Sequence, residues 1–339
     1  MTLPAALLDV DHLEEEMSKP SPGLVEDLSR LDGDLIILGV GGKMGPTLAR
    51  MARRAAPHKR IIGVARFNEP GLRKRLEDQG IECITADLLS RQALSQLPEV
   101  RNVVFMAGRK FGSQGSEWLT WAMNVHVPAL VADRYRNSRI VAFSTACVYP
   151  FVSVNGPGAP ESLAPTPVGE YANSCVGRER MFEHFSHLHG TQGRLIRLSY
   201  AIDMRYGVLH DIARQVFDRQ RVSLAMGYAN VIWQGDANER ALRALLQCTT
   251  PTTGLNLSGP MVAVRDIAQG LGHRLGLPVQ FSEKPADTAW LVDCSEAKRL
   301  WGPPAIGIET LLDWTADWVQ RRQPTLNKPT HFEVRDGQY

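Results

Sequence analysis

The stretch that most constrains the fold is LIILGVGGKMGPTLAR, from Leu35 to Arg50. An apolar run of β-formers meets three glycines spaced three apart, Gly39, Gly42 and Gly45, and a helical pattern begins at once. One glycine allows a tight turn, another lets backbone approach a ligand, and the third lets helix and strand pack closely. The helix start offers unpaired N–H groups and partial positive charge, which suit a pyrophosphate. Lys43 and Met44 lie inside this loop. A glycine triplet alone also fits a structural turn, but its place at the head of a repeating pattern argues for dinucleotide binding.

That pattern continues through RIIGVA (60–65), PGLRKRLEDQG (70–80), IECITAD (81–87) and NVVFMAG (102–108). WLTWAMNVHVPALVADRYR (118–136) has helical spacing, and RIVAFST (139–145) and GRLIRLSY (193–200) read as further strands. Apolar runs alternating with helices predict an α/β fold, a doubly wound parallel sheet of Rossmann type. Residues 1–33 read as a helical extension without chemistry, and 34–202 as the nucleotide-binding domain. Residues 203–322 read mainly as a smaller substrate lobe that partly returns to the first domain, with GLNLSG (254–259) and LGLPVQFS (275–282) among its late segments. Residues 323–339 read as a polar tail. The Pro- and Gly-rich stretch 150–170 predicts a long functional loop.

The position after the second strand usually carries an acid for the adenosine ribose. Here Ala65 and Arg66 stand in its place. An arginine can pair with a 2′-phosphate that an acid would repel, so NADP is expected over NAD, with Lys43 as a second cation. The competing reading is a solvated Arg66. Asp87, with Leu88 after it, is placed to accept from an adenine amino group. Met106, Ala107 and Gly108 give a slim strand end beside the nicotinamide ribose.

The 38 basic and 36 acidic side chains nearly cancel, which gives no bulk drive toward nucleic acid or an anionic membrane. Five scattered cysteines form no CxxC pair and predict reduced thiols in a cytoplasmic protein. No apolar run is long enough for a membrane helix, and the N-terminus does not read as a signal peptide.

The glycine loop, Asp87, MAG at 106–108, Asn124, STACVY (144–149) and the EYANSCVGRER segment (170–180) occur in a telling order. The chain resembles the extended short-chain dehydrogenases/reductases, and more narrowly the NAD(P)-dependent epimerase/dehydratase family, from about 34 to 320. The resemblance implies hydride transfer at a hydroxyl or keto carbon of a sugar or sugar-derived substrate, and by family habit a homodimer. A nucleotide-sugar epimerase or dehydratase that uses the cofactor transiently stays open, as does an NADP-binding sensor without turnover. Carried over by position, Thr145 holds the substrate oxygen and Tyr171 is the acid/base, with Ala146 and Cys147 on the substrate side. Asn124 and Ser199 complete the cofactor-side set, Asn124 also sitting behind Thr145 and Tyr171 to order a water or the helix geometry.

One position departs from the family. Its lysine four residues after the tyrosine is Cys175 here. A neutral thiol cannot lower a tyrosine pKa by charge. Arg178 shares the helical face of Tyr171 and Cys175, although a solvated arginine is the plainer reading. Lys110, in an AGxK context like that of sugar-nucleotide epimerases, is the other candidate cation; its plainer reading is a surface lysine. Arg205, Trp233 and Gln234 fall in segments that border the family's substrate. No metal site is expected: Cys175 has no partner histidine at a ligand spacing, and His184, His187 and His189 read as a helix end.

Overall fold

The computed structural model describes residues 3–337 except 111, 113 and 114. It opens with α1 (Val10–Met17) and α2 (Pro22–Arg30). Alternation follows through β1 (Leu35–Leu38), α3 (Gly45–Ala55), β2 (Ile61–Ala65), α4 (Leu72–Asp78), β3 (Glu82–Thr85), α5 (Arg91–Ser95) and β4 (Asn102–Phe105). Next come α6 (Glu117–Trp121), α7 (Val127–Arg134), β5 (Arg139–Thr145), β6 (Val152–Ser153), α8 (Glu170–His189) and β7 (Gly193–Leu198). The second half begins with β8 (Ala201–Ile202), α9 (Val208–Phe217), β9 (Arg221–Ser223), β10 (Tyr228–Asn230), β11 (Ile232–Trp233) and α10 (Gln234–Arg243). It ends with β12 (Thr253–Leu257), β13 (Met261–Ala263), α11 (Val264–Leu275), β14 (Gln280–Ser282), β15 (Thr288–Ala289), α12 (Ser295–Trp301) and α13 (Ile308–Gln320).

Seven parallel strands form the central sheet in the order β3-β2-β1-β4-β5-β7-β12. The chain enters at β1 and winds outward in both directions, so the order reverses between β1 and β4. Ligand crevices open at the carboxyl ends of strands at such a reversal. Leu38 is level with both Val64 and Phe105, which makes the carboxyl edge even there.

Strand periodicity builds the layers. In β1, Leu35 and Ile37 face one core with Leu48 and Met51 of α3 and Leu242 of α10. Ile36 and Leu38 face the opposite core with Val131 of α7 and Phe182 of α8. A third core, of α9, α11 and α13, forms the smaller lobe around Trp314 and Trp318.

The elements refine the reading of the sequence and correct it at one strand. The helical spacing over 118–136 is borne out by α6 and α7, which are joined without a gap by a π turn at Ala122–His126; wider turns of this kind often mark functional positions. GLNLSG does not stay in the lobe: its strand β12 pairs with β7 and closes the edge of the main sheet. The N-terminal extension is helical and packs on the lobe, where Leu7, Leu13 and Met17 are fully buried in its core. The C-terminal tail is likewise packed, with Phe332 and Thr330 only 2% exposed. Among the described residues, no helix is long and apolar enough to cross a membrane.

Candidate active site

The glycine loop is shaped by steric need. Gly39 has φ +92°, and a Cβ there would lie 2.6 Å from Ala107 N. A Cβ on Gly45 would lie 2.2 Å from Val40 O, so only glycine lets α3 start this close to β1. The α3 N-terminus has no side-chain cap, which leaves its N–H groups available to an anion.

Two clefts meet at this loop. One is lined by Ala65, Arg66, Asp87, Leu88, Ala107 and Gly108. The other, of about 330 Å³, is lined by Lys43, Met44, Lys110, Thr145, Tyr171 and Ser199, among others. Gly39, Gly42 and Met106 line both. The result is a channel along the carboxyl edge, with an uncapped helix terminus at its middle. A dinucleotide fits that arrangement: the adenosine side would be held by Asp87 and Arg66, the pyrophosphate by the glycine loop, and the nicotinamide side by the second cleft.

Within the second cleft, Thr145 ends β5 and accepts a hydrogen bond from Cys147 N (3.2 Å). Ala146 and Cys147 follow it on the wall. Tyr171 stands in the first turn of α8. Burial pushes its phenol well above the ordinary range, Cys175 and Cys147 add to the rise, and the Arg178 charge opposes it. Cys175 is fully buried and hydrogen-bonded to Tyr171. Burial raises its own pKa, so it stands as a thiol. Lys110 Nζ lies 5.9 Å from the Tyr171 ring centroid, and burial lowers its pKa. It lines the cleft and is no plain surface lysine.

Arg178 is not a solvated arginine. It is 6% exposed and donates to Phe143 O (2.8 Å) and Asn124 Oδ1 (2.7 Å). Its Nε has no partner among the described residues. Gly108 makes room for it, since a Cβ there would lie 2.3 Å from Arg178 Nη2. Asn124 makes its contacts behind the site rather than in the cofactor cleft, in keeping with its reading as a residue that orders the helix geometry. It is fully buried, its Oδ1 accepts from Arg109 N and Arg178, and its Nδ2 donates to Arg109 O and Ser174 Oγ. With all four hydrogen-bonding positions used, it clamps the 108–110 segment to α8.

Three substrate candidates are also corrected. Arg205 is held by Asp203 and by Glu14 of α1 (2.8 Å each), so its charge is spent on tying the extension to the lobe. Trp233 packs edge-on against Trp314 in the lobe core. Gln234 is fully buried and donates to Thr47 Oγ1 of α3. Lys43 does not join Arg66. It donates to Ala201 O (2.9 Å) and lies 4.5 Å from the Tyr206 ring centroid, on the other side of the loop. Burial lowers its pKa to about 8, against the pull of Asp203. Arg66 is exposed at the first cleft.

The cleft contains residues that sequence reasoning missed: Tyr200, Tyr206, Trp290 and Thr330. Tyr200 adopts φ +25°, a strained angle for a bulky side chain. The two tyrosines flank the segment from which Arg205 was chosen for its charge. Trp290 and Thr330 come from distant segments that carry no local signal. Behind Thr145, a buried network runs from Ser144 to Glu179 (2.6 Å), then Arg197 (2.7 Å), Tyr149 and Asn256. Asn256 donates to Ala159 O (2.8 Å), which pins the 150–169 loop leading to Tyr171.

The family pattern described as "NAD dependent epimerase/dehydratase family" matches residues 35–220, more than half of the chain. The chain belongs to that family. Its fold is shared with UDP-glucuronic acid 4-epimerase from Bacillus cereus in complex with UDP-glucuronic acid and NAD, at 17% identity and TM-score 0.70, over 85% of this chain and 99% of that one. It is also shared with Pal from Bacillus thuringiensis (14% identity, TM-score 0.71, 86% and 100% covered). UDP-glucose 4-epimerase from Thermus thermophilus in complex with NAD is similar too (16% identity, TM-score 0.69, 85% and 99% covered). No curated protein sequence matches the chain. The matched residues include the glycine loop, Thr145, Tyr171, Cys175 and Arg178.

Proposed function

We propose that this family member is an NAD(P)-dependent oxidoreductase that transfers hydride at a hydroxyl or keto carbon of a sugar or sugar-derived compound. The observation that carries this is the single cleft joining the glycine loop to Thr145, Lys110 and Tyr171. The UDP-sugar 4-epimerases of the same fold support a sugar-derived substrate. When bound, the dinucleotide supplies the hydride donor or acceptor. Thr145 orients the substrate oxygen. Tyr171 is a neutral phenol at ordinary pH, ready to donate a proton to a carbonyl oxygen in reduction. Arg178 is a positioning residue: through a fixed charge and its clamp on Asn124, it eases ionisation of Tyr171 where the family uses a lysine. NADP is the preferred cofactor in this reading, supported by exposed Arg66 beside Ala65, although the cited epimerase complexes hold NAD.

Fluorescence titration with NADPH and NADH, followed by turnover on a panel of keto sugars, tests the reading. Tighter NADPH binding that Arg66→Ala weakens, together with turnover, is expected. Tighter NADH binding overturns the cofactor choice. Tight NADPH binding without any turnover points instead to a cofactor-binding sensor.

A further inference from the structure

The C-terminal segment after α13 reaches the second cleft at Thr330 and is anchored on either side of it. Leu326 N donates to Arg205 O (3.1 Å), at the lobe side. Thr330 then donates through both N (2.7 Å) and Oγ1 (2.5 Å) to Asp211 of α9, and it lines the cleft. Phe332 is buried in the lobe core. Arg335 crosses to the other side, where it donates to Thr288 O (2.7 Å) and Thr288 Oγ1 (2.8 Å) and stacks 4.2 Å from the Phe151 ring centroid. Phe151 in turn contacts Trp290, another wall residue (4.6 Å between ring centroids). Finally, Gly337 packs backbone to backbone on Val168 and Gly169; a Cβ on Gly169 would lie 2.5 Å from Gly337 O. Gly169 caps the helix that carries Tyr171. The segment therefore bridges the lobe and the catalytic loop, and every crossing point is tied.

We infer that residues 324–337 form a closed strap that limits the substrate to a compact sugar or sugar acid without an attached nucleotide. The cleft measures about 330 Å³, the low end of the range of about 300–1,000 Å³ usual for ligand sites. Part of it is lined by Gly39, Gly42 and Met106, the cofactor side. The remaining room suits a small polyol, whereas a nucleotide-sugar has several times that bulk. The inference rests on the proposed site being the substrate site, and its test reads access and binding rather than turnover, so its failure is separable from that of the proposed reaction.

Cys147 lines the cleft and serves as an internal reporter. The full-length protein is treated with N-ethylmaleimide or with fluorescein maleimide, and labelling of Cys147 is followed by peptide mass spectrometry. The strap requires the small reagent to label Cys147 at least tenfold faster than the bulky one. Arg335→Ala, which frees the far end of the strap, narrows that ratio while NADPH affinity holds. In parallel, NADPH-loaded wild type shows no binding of UDP-glucose at millimolar concentration by calorimetry. Equal labelling by both reagents in wild type overturns the inference, as does micromolar UDP-glucose binding with the 324–337 amides still protected from exchange. If Arg335→Ala fails to fold, the two wild-type results alone decide.

Discussion

Replacing Arg178 with methionine removes a buried charge two helical turns from Tyr171. Seven residues at a rise of about 1.5 Å place the two Cα atoms about 10 Å apart. At an effective dielectric of about 20, unit charges at that distance interact by about 1.7 kcal/mol, a little over one pKa unit. Arg178→Met therefore makes Tyr171 harder to ionise and lowers oxidative kcat/KM about tenfold at every pH below the Tyr171 pKa. Reduction starts from the neutral phenol and changes less. The variant also leaves Phe143 O without its donor, at a cost of about 1–3 kcal/mol in stability, so folding is checked by thermal melting. Arg178→Lys keeps the charge and restores most of the oxidative rate. The assay is the pH–rate profile of NADP-linked oxidation of the best substrate. A folded Arg178→Met protein whose profile superimposes on that of wild type refutes the role assigned to Arg178.

Three further outcomes are expected. Because the Tyr171 pKa is raised, only the small ionised fraction supports oxidation; its kcat/KM climbs about tenfold per pH unit above neutrality, while reduction stays nearly flat over the same range, as steady-state profiles in both directions will show. Lys43 lines the cleft beside Gly39 and Gly42 of the pyrophosphate loop; it is a cation below about pH 8 and loses its proton as pH rises through that value, so NADPH affinity falls by about tenfold on the alkaline side, and Lys43→Met abolishes the pH dependence in a fluorescence titration. Glu179→Gln leaves Arg197 buried without its counter-ion, and denaturant unfolding will show a loss of about 3–5 kcal/mol.

The sheet was legible because its strands are short apolar runs set between helices, and Gly39 and Gly45 reported steric demands that act within a few residues. The meeting of Thr145 and Tyr171 in one cleft was legible from order along the chain. What failed depended on contacts between distant segments. Residue type suggested solvent for Arg178, yet Asn124 and Phe143, remote in sequence, supply the partners that let it be buried. Charge suggested a substrate role for Arg205, yet Glu14 of the extension already holds it. The tail read only as polar; its packing comes from Asp211 and Thr288, which meet it only in the folded chain.

In the proposed mechanism Tyr171 exchanges the substrate proton in the cleft that also holds the glycine loop. The most direct measurement is single-turnover oxidation of bound NADPH by a keto-sugar substrate, comparing wild type with Tyr171→Phe. The account predicts a loss of about 10²–10⁴-fold in the rate of the hydride step, with NADPH affinity unchanged. Equal rates in the two proteins would contradict it.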